Sequence, residues 1–406
     1  MTLSYFYNFV PITFNCNEAE RKEILSQFPA PVLPDSMEFF NIADESPGNH
    51  VKARVLLNEF HVQKTKTNKQ YLKMLFSNNA GTINTKMWDN QGAVERHQPI
   101  LEKYAVFDIE GIVDDFRGHK SLTIHQLTPC TEEIDPFSLL AYTQQNIDDL
   151  TIELFSYLNE LALPYKNIAL GAMRQFWDQF RIRPAAKGYH HNYLGGLLKH
   201  TVGLMRFARY IIKMEENHYK AVMKLISVVE KAYKNELWSQ FQTSENQQLI
   251  WKGTIDHLYD MLQGMMVYKE QEPNYDVIMT SILFHDIGKL LEYDHAGKTF
   301  ETFKFLFPTA DHSDLENRKQ AGITMDELGV MVGHIPYGVL ILTKMIEAEG
   351  IELSLGAIHQ MSHCILCHHG LPEWGACVRK PQSIEGYIIH IVDFLDSRYE
   401  NAEEIK

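Results

Sequence analysis

The chain of 406 residues predicts a multidomain α+β fold: a five-stranded β-barrel of the OB type, followed by a long all-α domain. Three observations predict it. Residues 51–128 hold five short runs rich in β-branched and aromatic residues. A polar, helix-compatible stretch falls between the third and fourth runs, as an OB barrel requires. From about residue 137 onward, apolar side chains recur every three to four positions, the period of a helix face.

Residues 1–49 contain "FPAPVLPDS" and little periodicity, and read as an arm or cap without chemistry. The barrel is expected over 50–130. Its strands are "VKARVLLNEFHV", "QYLKMLFS", "GTINTKMWD", "YAVFDIEGIVDD" and "KSLTIHQLTP", and its helix is "NQGAVERHQPILEK". The turn signals "TKTNK", "NNAG" and "FRGHK" punctuate them. The all-α domain is expected over 137–406, with helices at 147–163, 166–181, 194–213, 218–238, 247–267, 276–291, 336–348, 355–367 and 383–399. Residues 292–333 read as a loop or flap, and about 213–270 as an inserted helical hairpin.

Bulk properties narrow the function. At 45% hydrophobic and 22% charged, the chain is of the soluble globular kind. No apolar run approaches the roughly 20 residues of a membrane span. The opening "MTLSYFYNFVPITF" lacks a basic stretch and a small-residue cleavage site, so no signal peptide is expected. Five scattered cysteines make no disulfide framework, and a reducing cytoplasm is the expected compartment.

A net charge of −14 argues against a generic nucleic-acid coat protein. Residues 51–130, however, hold 11 Lys+Arg against 8 Asp+Glu, and 51–73 hold 6 against 1. Strand contact is therefore expected on the barrel, where Lys64, Lys66, Lys69 and Lys73 could track a phosphate backbone. Phe60, Tyr71, Phe76 and Trp88 could stack on bases, although half of them must fill the core. Strand alternation sends Leu72 and Met74 inward and Tyr71 outward with Lys73, which favours Tyr71.

The chain has 19 histidines, and its C-terminal half holds a series of them with acids: His200 ending "GGLLKH", His285 and Asp286 in "FHDIGK", His334 in "GHIPYG", His368 and His369 in "CILCHHG", and Asp393 in "YIIHIVDFLD". Singly, each is most simply a hydrogen-bonded core residue. Together, at the edges of apolar stripes and often beside glycine, they make a ligand set for Zn, Mn, Fe or Co. A carboxylate can bridge two such cations.

This order resembles the HD-domain phosphohydrolase superfamily, in its variant with extra histidines for a second metal. More narrowly, "PAAKGYHHNYLGGLLKHT", "LFHDIGK", "GHIPYG", "CHHGLPEWGACVRKP" and "IIHIVDFLDSR" resemble the YhaM-type 3′-to-5′ exoribonucleases, which join an OB-fold to an HD domain. The resemblance spans roughly residues 50–400. It implies that His200, His285, Asp286 and Asp393 hold one cation, and that Asp286 bridges to a second held by His334, His368 and His369. Two divalent metal ions are expected, Mn²⁺ first, with Fe, Co, Zn, Ni or Mg as alternatives. The implied activity is 3′-to-5′ degradation of single-stranded RNA, with single-stranded DNA a further substrate, to nucleoside 5′-monophosphates.

Lys289, one helical turn past His285, is expected near a phosphate oxygen; the alternative is a solvated surface lysine. His190 and His191 could touch the scissile phosphate or leaving group, or support the ligands from behind. Glu373, Trp374 and Arg379 follow the double histidine, and a Trp beside an Arg suits a nucleobase and its phosphate. "CILCHH" also fits covalent haem attachment, but that needs export and an exposed loop. His359 and His363 lack a fitting partner for a zinc pair, so core or supporting roles are expected, and His390 is expected to support Asp393.

The sequence departs from the family pattern in the 85 residues between His200 and His285, in Lys199 where an acid is usual, and in its overall acidity. The extra hairpin could mediate a homo-oligomer or restrict access. Three alternatives stay open: an HD phosphohydrolase of small or cyclic nucleotides, an HD-type single-stranded DNA nuclease or relaxase, and a non-catalytic strand-binding adaptor with a structural metal.

Overall fold

The structure, a computed structural model, describes residues 4–31, 40–65, 67–116, 119–131, 139–143, 145–186, 193–243, 255–295, 299–316, 323–374 and 377–399. Strands β1 (Ser4–Tyr5) and β2 (Val10–Pro11) form a small hairpin, followed by α1 (Glu18–Gln27) with an Asn17–Glu20 capping box. Tyr5, Phe6, Val10 and Phe28 are buried in the same apolar core as the long helices. Residues 4–28 therefore pack with the helices through aromatic side chains, while Phe40 and Ile42 pack on the barrel.

The barrel comprises β3 (His50–Lys64), β4 (Gln70–Asn78), β5 (Gly81–Trp88), α2 (Ala93–Lys103), β6 (Val106–Phe116) and β7 (His119–Pro129). It closes in the order β3-β4-β5-β7-β6, with β5 and β7 parallel and the other pairs antiparallel. This is an OB-like barrel, with its helix between the third and fourth strands. Val55, Leu72, Met74, Phe76 and Phe107 fill it, and α2 adds Val94 and Leu101. A separate cluster of Leu56 with Leu139, Leu140 and Leu194 joins barrel to helices.

The helical part runs α3 (Ile147–Asn159), α4 (Leu163–Phe180), α5 (Gly196–Arg209) with a π-turn at Tyr210–Met214, α6 (His218–Thr243), α7 (Ile255–Met265), α8 (Tyr275–His285) and α9 (Lys289–Glu292). It continues through β8 (Tyr293–His295), α10 (Thr299–Leu306), α11 (Ser313–Glu316), β9 (Ile323–Met325) and α12 (Glu327–Val332) to α13 (His334–Ala348), α14 (Leu355–Cys367) and α15 (Ile384–Arg398). Helix α8 is buried from Val277 to His285, because it is apolar on every side and packs against α4, α5, α13, α14 and α15. No helix among the described residues is long and apolar enough to cross a membrane.

Two expectations change. The helix expected over 276–291 breaks at Asp286, whose backbone leaves the helical region at φ −112 and ψ 2. Beyond the break, α13 crosses so closely that a Cβ on Gly288 would lie 1.9 Å from the His334 carbonyl oxygen. The stretch expected as loop or flap holds a two-stranded β8–β9 ribbon and three short helices, too brief to show a period. Helices α6 and α7 pack on each other and α7 also packs on α15; residues 244–254 of the expected insertion lie outside the described residues.

Candidate metal centre

Five helix segments deliver side chains to one buried point. His200 comes from the first turns of α5, His285 and Asp286 from the end of α8, and His334 opens α13. His368 and His369 follow the end of α14, where Gly370 turns the chain at φ +81, and Asp393 lies on the buried face of α15. Leu283 and Phe284 before the pair, and Ile287, Leu290 and Leu291 after it, are almost wholly buried, so the core fixes where His285 and Asp286 point.

The seven residues form two groups. In the first, His200 Nε2 lies 3.2 Å from both His285 Nε2 and Asp393 Oδ1. Asp286 Oδ2 is 3.4 Å from His285 Nε2 and 3.6 Å from His200 Nε2. In the second, Asp286 Oδ1 is 3.6 Å from His334 Nε2 and 3.8 Å from His368 Nε2, with His369 completing the set. One carboxylate thus turns an oxygen to each group.

Hydrogen bonds on the far side set the imidazoles. The δ nitrogen of His285 donates to Ile282 O at 2.6 Å and that of His368 to Ile365 O at 2.7 Å. The same nitrogen of His334 faces Glu292 Oε2 at 2.5 Å, and that of His200 faces Asp396 Oδ2 at 2.6 Å. With Nδ1 occupied as a donor, Nε2 of each ring faces inward, and a neutral ring presents its lone pair there. Asp286 Oδ1, His334 Nε2 and His368 Nε2 are buried and make no hydrogen bond. An unsatisfied buried polar atom costs about 1–3 kcal/mol, so three converging on one space fit a shared cation.

Charge is arranged to match. Burial pushes the Asp286 carboxyl up, but the Lys289 ammonium with His285 and His334 outweighs it and holds it well below the usual carboxylate range. Asp393 is likewise lowered, against its burial, by His200, His368 and His369. Burial lowers His368 strongly and takes His369 down to about 4, leaving both neutral and able to ligate. His200 is opposite: burial would lower it, but Asp393 and Asp396 push it up to about 10. In the metal-free chain a proton on His200 Nε2 therefore stands where a cation would bind.

A cavity of about 460 Å³ opens onto both groups. Lys289 lines it, only 5% exposed, with its ammonium 2.5 Å from Asp286 Oδ2, so it is no surface lysine. Tyr293, Phe394, Ser397 and Arg398 also line it, the Arg398 guanidinium lying 5.4 Å from the Phe394 ring.

Other expected contacts fare differently. His190, His191, Lys66 and the side chain of Trp374 lie outside the described residues. Glu373 and Arg379 are exposed and do not line the cavity; Glu373 pairs with Lys380 at 3.3 Å. Beyond Gly370 the chain runs back along α14, where the Val378 N–H donates to the Leu366 carbonyl at 3.1 Å. His390, expected to support Asp393, donates to the His368 carbonyl at 2.6 Å, faces His257 Nε2 and feels the Asp393 charge. His363 accepts the Gln382 N–H at 2.9 Å, and the buried Cys364 and Cys367 are free thiols.

On the barrel, Lys64, Lys69 and Lys73 are exposed, while Leu72 and Met74 are buried. Tyr71 stands outward, its hydroxyl donating to Gln63 at 2.6 Å and its ring centre 5.3 Å from that of Trp88. Trp88 is 39% exposed and Lys86 Nζ lies 5.6 Å from the centre of its ring. Phe76 is wholly buried and Phe60 packs partly against the core.

Comparison with known proteins bears on the helical part first: residues 254–398 match the HD domain family. His200 lies ahead of the matched span, yet the fold returns α5 to its centre. Relatives match over far more of the chain. The protein named 3′-5′ exoribonuclease YhaM of Listeria innocua is 21% identical over 354 residues, covering 86% of each chain. The proteins of that name from Bacillus pumilus (20% over 356 residues, 86% of each) and Bacillus licheniformis (21% over 335 residues, 81% of this chain and 79% of that one) are similar. A solved OB-fold domain of replication protein A from Methanococcus maripaludis aligns with 23% of the chain and 97% of its own at 9% identity. Its TM-score of 0.18 carries no argument, and the barrel rests on its own strand order.

Asp396, Glu292, Tyr5 and Arg398 are the site residues that sequence reasoning missed. Asp396 and Arg398 were legible in principle, three and five residues beyond Asp393 on one helix. Glu292 and Tyr5 carry no local signal, because only the chain's path brings them in.

Proposed function

We propose that this protein is a metal-dependent 3′-to-5′ exonuclease that degrades single-stranded RNA to nucleoside 5′-monophosphates. The observation that carries the reading is the pair of ligand groups, each within 4 Å of an Asp286 oxygen, that line one cavity. His200, His285, Asp286 and Asp393 would hold one divalent ion, and Asp286, His334, His368 and His369 the other; an imidazole-rich set of this kind suits Mn²⁺, Fe, Co, Zn or Ni. Bound there, the ions supply Lewis-acid activation of water and neutralise charge on the phosphoryl group.

The chain's own residues do the rest. Glu292 and Asp396 hold His334 and His200 in orientation. Lys289, in the cavity wall beside Asp286, is placed to take a phosphate oxygen. Arg398, which lines the cavity and is exposed, offers a cation to the terminal nucleotides. Tyr71, Trp88, Lys64, Lys69 and Lys73 present stacking faces and charge to the strand on the barrel. The names of the relatives favour RNA, and the free cysteines fit a reducing cytoplasm.

The cavity volume favours one second reading, hydrolysis of a small nucleotide with the barrel as a regulatory module. Incubating a 5′-labelled single-stranded RNA with the metal-stripped chain, with and without Mn²⁺, separates the two. Stepwise shortening that needs Mn²⁺ is expected. Intact RNA beside turnover of mononucleotides would replace this reading with the second.

A further inference from the structure

The N-terminal hairpin reaches the metal centre. The Tyr5 hydroxyl donates a short hydrogen bond to Asp396 Oδ1, and Asp396 Oδ2 holds His200 Nδ1 at 2.6 Å. Tyr5 is 2% exposed, and its ring lies on α5, the helix that carries His200, with centres 5.2 Å from Phe207 and 4.9 Å from the Arg206 guanidinium. A single phenol therefore braces both α5 and α15. Helix α5 leaves room for this contact at Gly203, where a Cβ would sit 2.1 Å from Asp396 Oδ1 and 3.0 Å from the Tyr5 hydroxyl.

The turn that presents Tyr5 is strained. Phe6, Tyr7 and Asn8 have φ of 55, 54 and 58, three consecutive non-glycine residues in the left-handed region. L-residues enter that region singly and at a cost, and a run of them persists only where surrounding contacts overdetermine it. Here Phe6 supplies the anchor: 1% exposed, it packs edge-on against Phe207 at 4.8 Å. The Phe9 N–H closes the turn onto the Tyr5 carbonyl at 3.1 Å.

We propose that Tyr5 is a positioning residue for the metal centre, acting through Asp396 on His200. This rests on the metal reading above. Groups that orient a ligand through hydrogen bonds typically change metal affinity about 10- to 100-fold, and Tyr5 acts one bond further out, so a loss at the lower end is expected.

The test titrates the metal-stripped full chain with Mn²⁺, following free ion by electron paramagnetic resonance, for the native chain, Tyr5→Phe, Asp396→Asn and the double variant. Tyr5→Phe should weaken binding about tenfold. Its metal-free melting temperature should stay near native, and the loss should vanish in the Asp396→Asn background. Native affinity in Tyr5→Phe, or an equal loss in both backgrounds, overturns the inference. Should Tyr5→Phe fail to fold, Phe6→Leu loosens the turn that presents Tyr5 without touching Asp396: weakened Mn²⁺ binding supports the proposal and unchanged binding overturns it. A native chain that takes up no Mn²⁺ removes the metal reading, and this inference with it.

Discussion

At the metal centre, seven candidate ligands come from five helix segments and five of them are almost wholly buried, whereas Tyr71, Lys73 and Trp88 ride on two neighbouring barrel strands and stand partly or fully open to water. In the first region each imidazole δ nitrogen with a described partner is fixed from behind, so the ordering cost was met when the chain folded. In the second, register does the placing: Tyr71 pairs with Trp88 and Lys73 with Lys86 across β4 and β5. A buried site can demand one geometry, while an exposed face can accept many strands.

If that contrast holds, the largest effects belong to the buried region. Asp286→Asn removes the carboxylate that faces both groups. Cleavage of labelled single-stranded RNA should fall roughly 10³-fold, the scale of losing a principal stabiliser of transition-state charge. Bound Mn²⁺ should fall with it. Undiminished cleavage would reduce the centre to a structural role.

A pH series comes next in size. His200 is raised to about 10 in the metal-free chain, so throughout the neutral range a cation must displace its proton. The carboxylates of Asp286 and Asp393 are already ionised, and His368 and His369 already neutral, so they release nothing. Affinity for the group containing His200 should therefore rise with pH, about tenfold per unit, or about 100-fold between pH 6.5 and 8.5. Mn²⁺ titrations at the two values read this directly, and a flat profile would refute the proton–metal exchange.

Glu292→Gln should weaken the second group about tenfold by loosening His334, while leaving the group at His200 intact. Loss of one Mn²⁺ equivalent at limiting metal is the expected result. Equal weakening of both groups would mean that Glu292 supports the fold rather than His334.

The same contrast explains what could be read without coordinates. His200, His285, Asp286, His334, His368, His369 and Asp393 were legible because chemistry restricts which residues can occupy such positions, and each sits beside an apolar stripe that marks its helix. The barrel was legible because five β-rich runs with a helix after the third have few alternative closures. Illegible were the partners that only tertiary path creates. Glu292 follows a helix break at Asp286 that the continuous apolar run "SILFHDIGKLL" conceals. Tyr5 is nearly 400 residues from Asp396. Glu373 and Arg379, near His369 in sequence, are exposed and do not line the cavity.

The barrel face should yield the smallest effects, and they should appear in binding rather than chemistry. Trp88 is exposed and pairs with the Tyr71 ring, so it offers a base a flat partner; Lys86 beside it is held by Asp114 at 3.1 Å. A base stacked on an aromatic ring is worth about 1–3 kcal/mol, so Trp88→Ala should raise KM for a long RNA about tenfold and leave kcat unchanged. Lys73→Ala should do less, a few-fold at moderate salt, and should flatten the dependence of log affinity on log salt by about 0.7. Both losses should disappear on an oligonucleotide too short to reach the barrel from the cavity. If instead Trp88→Ala lowers kcat on that short substrate, the two regions are coupled through the Leu56–Leu194 joint, and the barrel does more than hold the strand.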